Sequence, residues 1–203
     1  GDGEMGHQRR TDYAKSRTLQ PFTGFRTGPL DGRLRLTEFG RPISYGIRRC
    51  EFDNYLLQRS GARLRLGEAW DSMERVAGRW LVNGAIDAAV VIGAGGHFCP
   101  VVRFLGANLG KSERAISAQE IEFEMNDEQA ARCTVLPDRP ELYFCDDLKG
   151  YGWAFRKGNF VNVGLGREGN HRLNEQVQAF CEALISAGRL SADTPRRFKG
   201  HAY

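Results

Sequence analysis

The sequence contains no C-x-x-C pair, no Asn-x-Ser/Thr acceptor, no block of basic residues and no long apolar run. Each absence removes a class of function. Five cysteines (Cys50, Cys99, Cys133, Cys145 and Cys181) are an odd and scattered set, which argues against a disulfide framework and for reduced thiols. Lys and Arg number 29 against 25 Asp and Glu, a formal charge of +4 spread too thinly to grip nucleic acid. The longest nearly uncharged stretch, 85–102, is broken by Asp87, His97 and several glycines, and a transmembrane helix needs about 20 predominantly apolar residues. No span is expected. The opening residues lack the apolar core of a secretory signal, so a cytoplasmic location is expected. No repeat is visible at solenoid periods.

What remains is an ordinary globular composition: 203 residues, 41% hydrophobic and 27% charged, enough chain for one large or two small cores. Three regions are expected: 1–17 as a polar, poorly ordered or remnant terminus, 18–106 as a mixed α/β region, and 107–203 as a mainly antiparallel one. In the middle region, Arg33–Leu36 alternates as a half-buried strand, 43–48 reads as a second, and Phe52, Leu56 and Leu57 give 51–59 a helical face that ends before Gly61. Strands are expected at 62–66, 72–76 and 80–82, with Ala77-Gly78-Arg79 as a hairpin turn. The run Asp87–Ile92 lacks alternation, which suits a strand buried on both faces of a parallel sheet. Pro100 is placed to open a short helix through Leu105.

The last region reads as strands at 120–125, 141–144, 152–156 and 160–165, joined in part by a tight turn at Lys157-Gly158-Asn159. Leu173, Val177, Phe180, Cys181, Leu184 and Ile185 then fall on one helical stripe within 171–187, closed by Gly188.

Three places could carry chemistry. Gly93-Ala94-Gly95-Gly96 follows an apolar run and precedes a helix start, so backbone there could approach a phosphate or a flat ring. Phe98 stands where a G-x-G-x-x-G fingerprint needs glycine, and a plain strand-to-helix turn explains the same residues. His97 and Cys99 lie just beyond, on either side of Phe98. With His7, His171 and His201 elsewhere and in no shared pattern, no metal site is expected, and no third group completes a Cys-His nucleophile. Local roles fit better: His97 bonding its loop, and Cys99 packing as a small hydrophobe. Tyr151, Trp153 and Phe155 share one face of a strand, as a core face or as the wall of an apolar pocket. Arg48-Arg49 could hold an anion or form a solvated rim.

Taken in order, Arg49-x-x-Phe52-Asp53, Val90-Val91-Ile92-Gly93-Ala94-Gly95-Gly96 with Val102-Arg103, and Tyr151-Gly152-Trp153-Ala154-Phe155-Arg156-Lys157-Gly158 leading to Asn162-Val163-Gly164 resemble the geranylgeranyl-reductase-like branch of FAD-dependent oxidoreductases. These are flavoproteins of the p-hydroxybenzoate-hydroxylase type. The resemblance runs from about Arg17 onward. It implies a mixed α/β fold of partial FAD-binding strands in 18–106, with an antiparallel substrate-binding sheet and flanking helices after it. It further implies FAD contacts at Arg49, Gly93, Ala94, Gly95 and Gly96, and an apolar, isoprenoid-type substrate on Tyr151, Trp153 and Phe155.

Departures are visible as well. Gly95 stands where the family carries aspartate, which leaves NAD(P)H as reductant open. Cys99-Pro100 replaces a serine, and Arg156 replaces a proline. The family's opening G-x-G-x-x-G unit has no counterpart here, so the chain is expected to be the middle of a longer enzyme. As such it would act as reductase, hydroxylase or halogenase when whole. Alternatively it would be a non-catalytic domain, binding an apolar ligand or partner without flavin, or self-associating through exposed edges.

Overall fold

The computed structural model describes residues 12–96, 98–107, 116–169 and 172–202. It divides the chain into two units, one built from residues before 62 and after 114, the other from 62–114.

In the first unit, local alternation and tight turns generate a seven-stranded sheet. Its spatial order is β12 (Lys199–Ala202), β8 (Ile116–Glu124), β11 (Phe160–Glu168), β10 (Gly150–Lys157), β9 (Glu141–Phe144), β2 (Gly24–Pro29) and β3 (Arg35–Glu38). All neighbours are antiparallel except β2 and β9, which run parallel. The β10–β11 hairpin closes with Lys157 opposite Phe160, and Gly158 at φ 61° supplies the left-handed step that the two-residue turn needs. A separate two-stranded ribbon pairs β1 (Leu19–Phe22) with β4 (Ser44–Ile47), and α1 (Arg49–Arg59) follows directly.

The core lies on one face of this sheet, beneath α4 (Leu173–Ser186). Leu173, Val177, Phe180, Cys181 and Leu184 are its buried stripe, matching the expected periodicity, and they cluster with Ala154, Val161, Val163 and Leu165 of the two central strands. Full burial of a side chain of this kind stabilises by roughly 1.5–3 kcal/mol. Gly152 is required by that packing: a Cβ there would lie 2.7 Å from Cζ of Phe180. A short helix, α3 (Asp127–Arg132), is opened by a capping box in which Asn126 and Gln129 exchange hydrogen bonds with each other's backbone.

One charge sits within this core. The Glu141 carboxylate is fully buried and is met by Arg26 at 2.8 Å and Arg189 at 3.4 Å, while the Tyr143 hydroxyl donates to it at 2.7 Å. Burial first, and then that bond to the carboxylate, pushes the Tyr143 phenol well above its ordinary value.

The second unit holds a three-stranded antiparallel sheet of β5 (Met73–Val76), β6 (Arg79–Val82) and β7 (Ile86–Ala88). Its first hairpin turns through Ala77 and Gly78, both at positive φ, as the sequence suggests. The short α2 (Pro100–Phe104) begins at Pro100 as expected.

Two expected strands are corrected. Residues 62–66 form no strand. The run Asp87–Ile92 is not a buried parallel strand: β7 ends at Ala88, pairs antiparallel with β6, and leaves Val90 and Ile92 at 72% and 81% exposure. No partner strand continues the ladder past Ala88 among the described residues, so the apolar run has neither pairing nor cover. The stretch 18–61 joins the same unit as the C-terminal region, because β2 pairs with β9 about a hundred residues later. Among the described residues no helix is long and apolar enough to cross a membrane.

Candidate ligand-binding face

Because side chains alternate across a strand, β10 sends Gly152 and Ala154 toward α4 and Tyr151, Trp153 and Phe155 to the opposite face. The register sets these three against small or polar partners on β11: Tyr151 opposite Gly166, Trp153 opposite Gly164, and Phe155 opposite Asn162. On β9, Leu142 lies opposite Trp153, and on β8, Ala118 lies opposite Gly166. The outcome is a row of aromatics flanked by a strip with almost no side-chain bulk.

The indole of Trp153 occupies that strip. A Cβ on Gly164 would fall 2.3 Å from the ring's Cζ2, and one on Gly166 would fall 3.5 Å from Cζ3. The ring therefore lies across both glycines. Its N–H donates to Asn162 Oδ1 at 2.6 Å, and its neighbour Tyr151 sits 5.8 Å away, centroid to centroid, in a tilted arrangement.

Over this face opens a cavity of about 610 Å³, lined by Ala118, Leu142, Leu148, Tyr151, Trp153 and Phe155 together with the charged Glu120, Lys149, Arg167 and Glu168. Tyr151 remains 46% exposed and Leu148 80%, which leaves apolar surface for a ligand to cover. Each CH₂ buried there stabilises a complex by about 0.8 kcal/mol, so the face suits an extended hydrocarbon. It carries no nucleophile at its centre.

The other end of the same face is closed. Phe22 of the β1–β4 ribbon packs edge-on against Phe155 at 6.0 Å, and a Cβ on Gly46 would strike the Phe22 ring at 2.6 Å. Beside it lies a charged cluster. Glu122 is met by Lys157 at 2.5 Å and by Arg48 at 3.5 Å; Arg48 also bonds Glu51 at 2.8 Å and stacks 3.7 Å over the Phe160 ring. Partners outweigh desolvation here, holding the Arg48 guanidinium above its ordinary value.

The remaining residues implied by the resemblance are not among those lining this cavity. Arg49, one residue beyond the engaged Arg48, has a side chain 79% exposed and pairs only loosely along its helix with Asp53 at 3.3 Å. Gly93-Ala94-Gly95-Gly96 belongs to the second unit. There Gly93 and Gly95 are demanded by local packing, since added Cβ atoms would lie 2.7 Å from Val102 Cγ2 and 3.2 Å from Cys99 Sγ respectively. Gly96 takes φ 76°, and 94–96 are exposed. Cys99 is buried beneath this loop, in the packing role expected of it, with its thiol pulled down by backbone bonds, that to Val102 foremost. His97, His7 and His171 fall outside the described residues, and no metal-holding group of three ligands occurs among the described ones.

These residues fit a flavin in kind. Exposed backbone at 94–96 without side-chain bulk suits close approach of a phosphate or ring, and an exposed guanidinium at Arg49 suits an anionic oxygen. Sequence reasoning missed Leu142 and Ala118 altogether as site residues, and it gave no site role to Gly166 or to Asn162 and Gly164, which it named only within a motif. Their signal was present: in Asn162-Val163-Gly164-Leu165-Gly166 every second residue is aliphatic and the others are small or polar, the signature of a strand with two unlike faces.

No family model matches the chain. It is similar to the digeranylgeranylglycerophospholipid reductase of Methanocaldococcus jannaschii, with 29% identity over 202 residues, covering 89% of this chain and 50% of that protein. The chain thus spans about half the length of the curated relatives it matches. Among solved structures it shares its fold with CtdE in complex with FAD, at TM-score 0.63 and 15% identity over 96% of this chain and 56% of that one. It is also similar to CmlS, a flavin-dependent halogenase, at TM-score 0.59 and 18% identity, covering 98% and 40%. The mixed α/β architecture, a multi-stranded sheet with flanking helices, is similar to FAD-binding oxidoreductase folds.

Proposed function

Because the chain resembles geranylgeranyl-reductase-like flavoproteins in sequence and fold, we propose that it forms the substrate-binding part of an FAD-dependent oxidoreductase. The reaction is of the reductase or monooxygenase type and the substrate is apolar and isoprenoid. The observation that carries this reading is the open aromatic face: Tyr151, Trp153 and Phe155 above a glycine strip, beside a cavity of about 610 Å³. A broad aromatic wall in a cavity that also carries a few charged side chains binds and orients hydrocarbon and excludes water from it. FAD, when bound, carries the electrons. Arg49 would hold an anionic oxygen of that cofactor, and the loop Gly93, Ala94, Gly95 and Gly96, whose backbone is exposed at 94–96, would contact it. The chain's own side chains bind and position, and no side chain need act as nucleophile.

A second reading, a module that binds an apolar ligand or partner without flavin, is favoured by the fact that the cavity is lined entirely by residues of the first unit. Absorbance titration of the purified chain with FAD, followed by size exclusion, separates the two. Saturable flavin that co-elutes with folded protein supports the oxidoreductase. Folded protein that stays colourless while taking up an isoprenoid alcohol supports the module.

A further inference from the structure

We propose that Asn162 is a positioning residue for the ligand face: it fixes the Trp153 indole flat against β11 and so sets the depth and shape of the apolar cavity. This rests on reading the cavity as a ligand site, and it adds a determinant that neither the relatives nor the motifs assign.

The argument starts from the seat. Gly164 and Gly166 remove the side chains that would otherwise occupy the space under the ring, which permits the flat pose without selecting it. Selection needs a directional contact, and the sole indole donor finds one in Asn162 Oδ1 at 2.6 Å. Asn162 is itself 3% exposed, so water cannot readily replace either partner.

The identity of the residue matters. Its amide must accept from the indole N–H on one side and donate on the other, where Nδ2 meets Glu122 Oε2 at 3.3 Å. Asparagine has both capacities in one short side chain. Aspartate would lack the donor and set a second carboxylate beside Glu122; leucine would leave both the indole N–H and Glu122 short of a partner. Glu122 is in turn pinned by Lys157 at 2.5 Å and by Arg48 at 3.5 Å. The amide is thereby held in one orientation, and the chain of contacts runs from the charged cluster at the closed end to the floor of the open one.

Without the acceptor, the indole N–H would face a buried site with no partner. The ring would then turn toward water in the cavity and occupy the volume it now borders. Asn162 touches no ligand-facing surface of its own, so its effect passes through Trp153.

The test uses the full chain, isotope-labelled at tryptophan, with geranylgeraniol as probe. In the unsubstituted protein the Trp153 indole N–H is expected to exchange with solvent far more slowly than that of Trp80. Asn162→Leu should abolish that protection and weaken probe binding roughly fivefold, the size expected when one polar bond's worth of positioning is lost. In a Trp153→Phe background the same substitution should leave affinity essentially unchanged. If Asn162→Leu fails to fold, Asn162→Ser, which keeps one acceptor and one donor, should give an intermediate effect. Equal weakening in both backgrounds, or an unprotected Trp153 indole in the unsubstituted chain that still binds probe, would overturn the proposal. A protected indole in a chain that binds no probe would instead refute the ligand reading of the face, and with it the role in shaping a site.

Discussion

The two faces of β10 are made by the same eight residues and have opposite fates. On one, Gly152 and Ala154 are small enough for Phe180 and its helix to close against the sheet, and the packing there is mainly apolar, with the buried Glu141 carboxylate held by its arginine and tyrosine partners. On the other, Tyr151 and Trp153 lie opposite glycines and Phe155 opposite Asn162, and the large side chains remain partly uncovered. Size and cover are thus inverted. Where a sheet buries its face in its own core, small residues let the partner approach; where it is to receive something else, bulk is placed on the strand and cover is withheld.

The contrast can be broken at several points, and the largest effect should come from the closed face. Phe180→Ala should lower stability by about 3–5 kcal/mol in urea unfolding, while Trp153→Ala, at a half-buried site, should lose no more than about half of that. Equal losses would mean that Trp153 is core. Trp153→Ala should nevertheless impair uptake of an apolar probe and leave flavin binding nearly intact. Next come the glycines. Gly164→Ala and Gly152→Ala each introduce a clash and should each lose about 1–3 kcal/mol, but only the former should shift Trp153 fluorescence.

A pH effect should follow, confined to the closed face. Tyr143 is held neutral by burial and by Glu141, so its folded value lies above the ordinary value of about 10 that the unfolded chain keeps. Its contribution is complete below about pH 10 and is lost as pH rises beyond it. Tyr143→Phe should therefore flatten the alkaline fall in stability, as read from unfolding midpoints between neutral and strongly alkaline pH. The smallest change in stability is expected for Arg49→Ala, within about 0.5 kcal/mol given its exposure, against about 1 kcal/mol for Arg48→Ala, which loses a stacked ring and two ion pairs. Flavin affinity should move the other way, with Arg49→Ala the more damaging. Equal effects on FAD titration would count against the assignment of Arg49.

Elements were legible in the sequence where their own periodicity met their own cover. The stripe from Leu173 to Leu184 announces α4 because the same residues that mark the period are the ones buried. The stripe Phe52, Leu56 and Leu57 announces α1 equally well, yet none of its residues is buried, since a pattern shows that a face exists and not what covers it. The run to Ile92 misled for that reason: five apolar residues in a row state a need for two neighbours, and neighbours lie elsewhere in the chain. The parallel pairing of Arg26 with Glu141 joins segments that no local window contains. At the candidate site, period two sufficed to align Tyr151, Trp153 and Phe155. Asn162 and the two glycines opposite them went unread, because small residues in a strand carry meaning only against a known partner. The motif with Arg49 likewise could not reveal that its neighbour Arg48 is the one tied into the ion cluster.

The central claim is that the open aromatic face, and not some other apolar surface, receives the ligand. The most direct measurement is a titration of the labelled chain with geranylgeraniol, following the three tryptophan indole N–H signals together. The account predicts a saturable shift at Trp153, with Trp70 and Trp80 unmoved. A silent Trp153, or a shift confined to Trp70 or Trp80, would contradict it.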